Sequence, residues 1–155
     1  MAETLVRFRQ WLFSVDKEAT ETTYAASLAS VPTACGCHDC LNFEAARELA
    51  FPPEALALFT ELGVDYRREG EVFQYQRLPD GRHHYGGWLH FRGAILDGPD
   101  FFSTAENKIA SLTDLFSIGF TAGNAPSIFP NLHHIVQIEI ETYIPWLLTD
   151  VPEPD

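Results

Sequence analysis

The chain has 155 residues, with 22 Asp and Glu against 10 Lys and Arg and a formal net charge of −12. A field of that sign repels phosphate backbones and anionic lipid surfaces, so nucleic acid and membrane are excluded as expected partners; a basic protein or a metal cation is the better electrostatic match. Twelve Phe, five Tyr and three Trp supply apolar bulk for one domain without a disulfide framework.

The charge is uneven. Residues 97–155 hold nine acids and one base, Lys108, while Arg67, Arg68, Arg77, Arg82 and Arg92 gather in the middle. The opening Met1-Ala2-Glu3-Thr4-Leu5-Val6-Arg7 lacks the apolar run and small-residue cleavage site of a signal peptide. No stretch is apolar enough for long enough to span a bilayer. A cytoplasmic location with reduced thiols is therefore expected.

Residues 4–15 fit a strand through Val6, Phe8 and Leu12, although Leu5, Phe8 and Leu12 also fit a helical stripe; the density of aromatics favours the strand. Asp16 is placed to N-cap a helix running to about Leu28, and Val31-Pro32 stops it. Asp39 is the expected N-cap of a second helix over Cys40–Ala50. There Leu41, Ala45 and Leu49 share one face, and Phe43 and Arg47 another. Phe51-Pro52-Pro53 opens a third helix with the apolar stripe Ala55, Leu58, Phe59 and Leu62, closed by Gly63 in the left-handed region.

After Gly70 the period changes to two. Residues 71–96 read as a hairpin about the turn Pro79-Asp80-Gly81-Arg82, with Gly86-Gly87 marking a bulge or a close backbone approach. Asp97-Gly98-Pro99-Asp100 breaks the chain. Phe116, Ile118 and Phe120 begin another strand, and 122–131 is a loop. In the last strand Val136, Ile138, Ile140 and Ile144 share one face and Gln137, Glu139 and Glu141 the other. The expected fold is α+β: N-terminal helices packed on a mostly antiparallel sheet, one domain over 1–148, then a flexible acidic tail over 149–155.

Cys35-Gly36-Cys37-His38-Asp39-Cys40 contains every cysteine of the chain. Thiolates this close can share a soft cation or exchange a disulfide. A zinc site would use Cys35, Cys37 and Cys40 with His38, Asp39 or a distant histidine as fourth ligand. A redox site would use the Cys-X-X-Cys pair Cys37/Cys40, and plain packing is the bland alternative. Trp88, His90 and Arg92 alternate onto one face, which suits either a ligand surface or a core histidine beneath a helix. His83, His84, His133 and His134 with Glu139 and Glu141 would build a metal-dependent hydrolase site if they converged. Tyr143-Ile144-Pro145-Trp146 suits a partner or homodimer contact, or a buried Trp.

The run CGCHDCLNF (Cys35 to Phe43), with Phe51-Pro52-Pro53-Glu54, Leu62-Gly63-Val64-Asp65, Tyr85-Gly86-Gly87-Trp88 and Ile144-Pro145-Trp146, resembles a family of bacterial proteins of uncharacterised activity. These carry a Cys-X-Cys-X-X-Cys-X-Asn-Phe segment and an Ile-Pro-Trp close. The resemblance implies a soluble single-domain protein and no particular activity. The middle segment also resembles small acidic immunity-type proteins, in which a Pro-led helix precedes a sheet. The expectation is a binding module with a cysteine-cluster zinc site. A thiol redox protein, a His/Glu metal-dependent hydrolase and an acidic inhibitor are the alternatives.

Overall fold

A computed structural model describes residues 3–27, 37–68, 71–123, 129 and 133–154. The order is β1 (Thr4–Phe8), β2 (Trp11–Val15), α1 (Lys17–Ala26), α2 (His38–Ala50), α3 (Pro53–Leu62), β3 (Glu71–Arg77), β4 (His83–Asp97), β5 (Ala110–Thr113), β6 (Phe116–Thr121) and β7 (Ile135–Ile144). The fold is α+β, with a seven-stranded antiparallel sheet ordered β1-β2-β4-β7-β6-β5 and β3 paired to β4.

The chain begins in the sheet. The expected single strand over 4–15 is a hairpin, reversed at Arg9 with φ 52°. Its inward residues Phe8, Trp11 and Phe13 meet Phe120 at 4.7 to 6.1 Å between ring centroids. Phe43, Phe51 and Phe59 bring α2 and α3 onto the same face, through Tyr85 and Phe116.

β4 spans 15 residues and pairs with β7 at ten consecutive positions, His83 to Arg92. Its other edge is shared. β3 takes His83–Trp88 and β2 takes Gly93–Asp97. The backbone groups in the gap are taken by α1. Tyr24 Oη donates to the His90 carbonyl (2.8 Å) and accepts from the His90 N–H (3.2 Å). One turn earlier, Thr20 Oγ1 accepts from Arg92 N–H (3.0 Å), and Asp16 N–H donates to the Arg92 carbonyl (2.9 Å). α1 is thus a polar plug. Its buried pair Thr20 and Tyr24, four residues apart, replaces the strand that a buried edge requires.

Local signals set the element ends. Asp16 caps α1 by accepting from Ala19 N–H (3.0 Å), as expected, and Gly63 closes α3 with φ 81°. α2 starts earlier than expected and is capped by Cys37, not Asp39; Cys37 Sγ accepts from Cys40 N–H at 3.4 Å. The buried face of α2 is Phe43, Ala46, Arg47 and Ala50, while Leu41 and Leu49 are exposed. The close-approach reading of Gly86-Gly87 holds: a Cβ on Gly87 would lie 2.6 Å from the Glu71 carbonyl. The irregularity itself lies in β3, between Gln74 and Gln76. Val31-Pro32 and most of the 122–131 loop lie outside the described residues.

The C-terminal segment is tied down. Asn42 Oδ1 accepts from Leu147 N–H (2.6 Å), and its amide donates to the Pro145 carbonyl (3.2 Å). Glu153 reaches buried His83 Nε2 (3.0 Å) and Arg77 (3.2 Å). Glu153, within the acidic 149–155 segment, supplies the acceptor that His83 needs in the interior.

Tyr24→Phe removes one hydroxyl and orphans a buried N–H and a buried C=O. It is expected to cost about 2 kcal/mol, seen in urea titration as a lower midpoint at unchanged slope. A loss below about 0.5 kcal/mol would refute the plug.

Candidate functional site: an aromatic arc around two carboxylates

Strand alternation sorts β4 and β7 into two faces. Tyr85, Leu89, Phe91, Ile138 and Ile140 go to the helices and are buried. His84, Trp88 and His90 go to the far face, opposite Tyr143, Glu139 and Gln137 respectively. Gly86 lies opposite Glu141 on one side and Phe73 on the other. A Cβ on Gly86 would sit 2.8 Å from the Phe73 ring and 2.9 Å from the Tyr75 ring, so only glycine lets both rings lie over the strand.

The rings form a continuous arc. Trp88 to Phe73 is 5.8 Å, Phe73 to Tyr75 5.1 Å, Tyr75 to His84 4.5 Å and His84 to Tyr143 4.7 Å. Glu139 and Glu141 stand inside it, each cross-strand from a member or from the glycine beneath it. A cavity of about 510 Å³ opens at the His84–Tyr143 end, lined also by Gln76, Leu78, Asp80, Asp114 and Leu115.

The two carboxylates are poorly neutralised. Glu139 accepts from the Gln137 amide. Glu141 lies 3.6 Å from His84 Nε2, too long for a hydrogen bond, and that nitrogen is buried without another partner. Among the described residues, neither glutamate is ion-paired with Lys or Arg. Burial raises the Glu139 pKa above its ordinary value. The Gln137 hydrogen bond opposes that shift, and repulsion from Glu141 adds to it. The same two charges, after burial, raise the Tyr75 phenol.

His90 is 1% exposed and its pKa is pushed down to about 4, chiefly by burial. Its ring is therefore neutral at neutral pH. Nε2 lies 3.2 Å from Gln137 Oε1. A neutral ring with its proton on Nε2 fixes the Gln137 carbonyl toward His90 and the amide toward Glu139. His90 thus orients a carboxylate through one intermediary. Of the expected Trp88/His90/Arg92 ligand face, only Trp88 joins the arc. Arg92 turns away, 5.6 Å over the Phe129 ring and donating to the His133 carbonyl at 2.9 Å.

The hydrolase constellation does not assemble. His83 pairs with Ile144 at one end of the β4–β7 ladder, and His133 and His134 precede Ile135 at the other. Ten strand positions separate the ends by about 30 Å. His83 and His84 also point to opposite faces; His83 is buried, with Nδ1 2.9 Å from the Gln74 amide.

The cysteine segment meets the sheet at another place. Cys37 is exposed and Cys40 is buried. His38 is the exposed first residue of α2. Tyr85 Oη donates to the Asp39 carbonyl (2.8 Å), and Thr142 Oγ1 donates to the Ala50 carbonyl (3.2 Å). With the Asn42 clamp, these bonds join the Cys37–Phe43, Tyr85–Trp88 and Ile144–Trp146 segments in one region. Cys35 lies outside the described residues. Among the described residues, no group of three or more His, Cys, Asp or Glu is placed to hold a metal.

Comparison with protein-family models, with curated proteins and with solved structures finds no match. Among the described residues, no helix is long and apolar enough to cross a membrane. The arc was missed in the sequence because it needs the registers of three strands, β3–β4 and β4–β7, at once. The glycine pair beside Trp88 was the local sign of it.

A histidine with a lowered folded pKa stabilises the fold in its neutral form. That contribution is complete above the ordinary value of 6.5 and is lost as pH falls toward about 4. Wild type should lose on the order of 3 kcal/mol over this window relative to His90→Gln, measured by urea titration across pH. Parallel pH profiles for the two proteins would contradict the buried neutral ring.

Proposed function

We propose that this protein is a non-enzymatic binding module that docks a basic partner protein on the far face of its sheet. The observation that carries the reading is the pair Glu139 and Glu141, half-buried inside an arc of rings and not ion-paired with Lys or Arg among the described residues. A cation over such rings gains about 0.5–1 kcal/mol when exposed and about 2 kcal/mol when desolvated. It also relieves the repulsion between the two carboxylates. The net charge of −12 steers a basic partner toward the surface before contact. An immunity-type inhibitor of a basic toxin is one form of this reading.

Titration calorimetry with an arginine-rich peptide tests it. Wild type should bind with an affinity that falls as salt rises, and a Glu139→Gln/Glu141→Gln variant should bind about tenfold or more weakly. Equal affinity in the two proteins would overturn the reading. Glu139→Gln alone should also be more stable than wild type at neutral pH, because burial penalises the charged carboxylate there. Below the ordinary pKa of 4.5 the difference should vanish, since wild-type Glu139 is then protonated and folds at no such penalty.

A second reading concerns the cysteine segment, with zinc held by Cys35, Cys37, Cys40 and His38. What favours it is Cys37 Sγ accepting the Cys40 N–H at the start of α2, which sets two of the three sulfurs on one helix turn. Elemental analysis of protein purified without added metal should find about one zinc per chain, and Cys37→Ser should lose it and melt at lower temperature. No bound metal and an unchanged melting temperature would remove this reading.

A further inference from the structure

We infer that the segment taken by the far face is an extended strand of the partner, carrying its Lys or Arg residues at alternate positions. This rests on the basic-partner reading above and narrows it. Glu139 and Glu141 are two residues apart on β7, so their side chains repeat at about 6.8 Å along the strand. An extended peptide repeats its same-face side chains at that same period. Two cations separated by one residue therefore meet two carboxylates without adjusting either backbone.

The shape of the face favours the same occupant. On the β4 side the carboxylates are bordered by Trp88 and by the Phe73 and Tyr75 rings over Gly86. On the β6 side their neighbours are Ser117 and Gly119, both small, and the Phe101 ring covers Gly119 so closely that a Cβ there would meet it at 2.5 Å. β7 is thus the floor of a trough two strand spacings wide, about 10 Å. A helix with its side chains is about 10–12 Å across and cannot seat on the floor, whereas an extended chain can. Besides the two glutamates, the cavity at the His84 end adds the acids Asp80 and Asp114. Asp80 already holds Arg82 at 2.8 Å, which leaves Asp114 as the acid added at that mouth.

Peptides of identical composition test the spacing. One carries two arginines separated by a single residue, a second carries them adjacent, and a third is a cross-linked helix with arginines four apart. All are titrated calorimetrically into the intact protein at low and moderate salt. The alternate-position peptide should bind about tenfold more tightly than the adjacent isomer. In Glu139→Gln, checked for native circular dichroism, that preference should collapse because only one carboxylate remains. Equal affinities for the two linear isomers in wild type, or tightest binding by the helical peptide, would overturn the inference and leave the basic-partner reading standing. Failure of every basic peptide to bind would instead overturn that reading, and this inference with it.

Discussion

The fold depends on satisfying the backbone of one strand. β4 is 15 residues long and runs through the middle of the sheet, so nearly all its N–H and C=O groups are removed from water. β7 pairs one edge without a break. The other edge is too long for either β2 or β3 alone, and between them Tyr24, Thr20 and the Asp16 backbone supply the missing donors and acceptors. An orphaned buried group costs about 1–3 kcal/mol, so the plug is worth more than any surface ion pair in the molecule. It explains why a helix with few apolar residues is held against the sheet. What it buries is polar, and those groups answer the strand.

The same unbroken ladder creates the two faces. Once β4 and β7 are in register, alternation leaves no freedom: Leu89 and Ile138 go to the helices, and Trp88 and Glu139 go the other way. A slip of one residue would bury Glu139 and Glu141 in the aromatic core. The core therefore fixes the position of the carboxylates, although they stand on the other face of the sheet. α2 is held to this frame at three levels, through the Asp39 carbonyl, the Asn42 amide and the Ala50 carbonyl. The cysteine segment is thus set on a rigid support whatever its chemistry.

Much of this was legible in the chain where the cause is local. Asp16 announces a helix because its carboxylate reaches an N–H three residues on, and Gly63 closes one because the left-handed region is cheap only for glycine. The alternation of β7 is plain because one face is apolar but for Thr142. Other features were hidden for identifiable reasons. β5 is four residues with one buried side chain, too short for a period to register. Cys37 lost to Asp39 as the expected cap because a thiol is the weaker acceptor; in the fold the Asp39 carbonyl is used by Tyr85 instead. Of the two α2 faces legible in the spacing, the one with Leu41 and Leu49 faces outward, because Phe43 and Asn42 direct the other side of α2 to the sheet. The arc was illegible for a different reason: the 71–96 hairpin brings Tyr75 to His84, but Tyr143 joins them only through a pairing between strands far apart in sequence.

The electrostatics of the far face then have a direction. A carboxylate whose pKa is raised by burial is less stable charged than it would be in water, so Glu139 weakens the fold at neutral pH. Gln137, fixed by the buried neutral ring of His90, holds that carboxylate in place and offsets only part of the penalty. A positioned, partly desolvated charge that gains nothing from folding gains most from a cation arriving from outside, because the same low dielectric that penalises it alone strengthens it when paired. On the proposed basic-partner reading, the network from His90 to Glu139 holds a charge in place for that partner at a cost to the isolated fold.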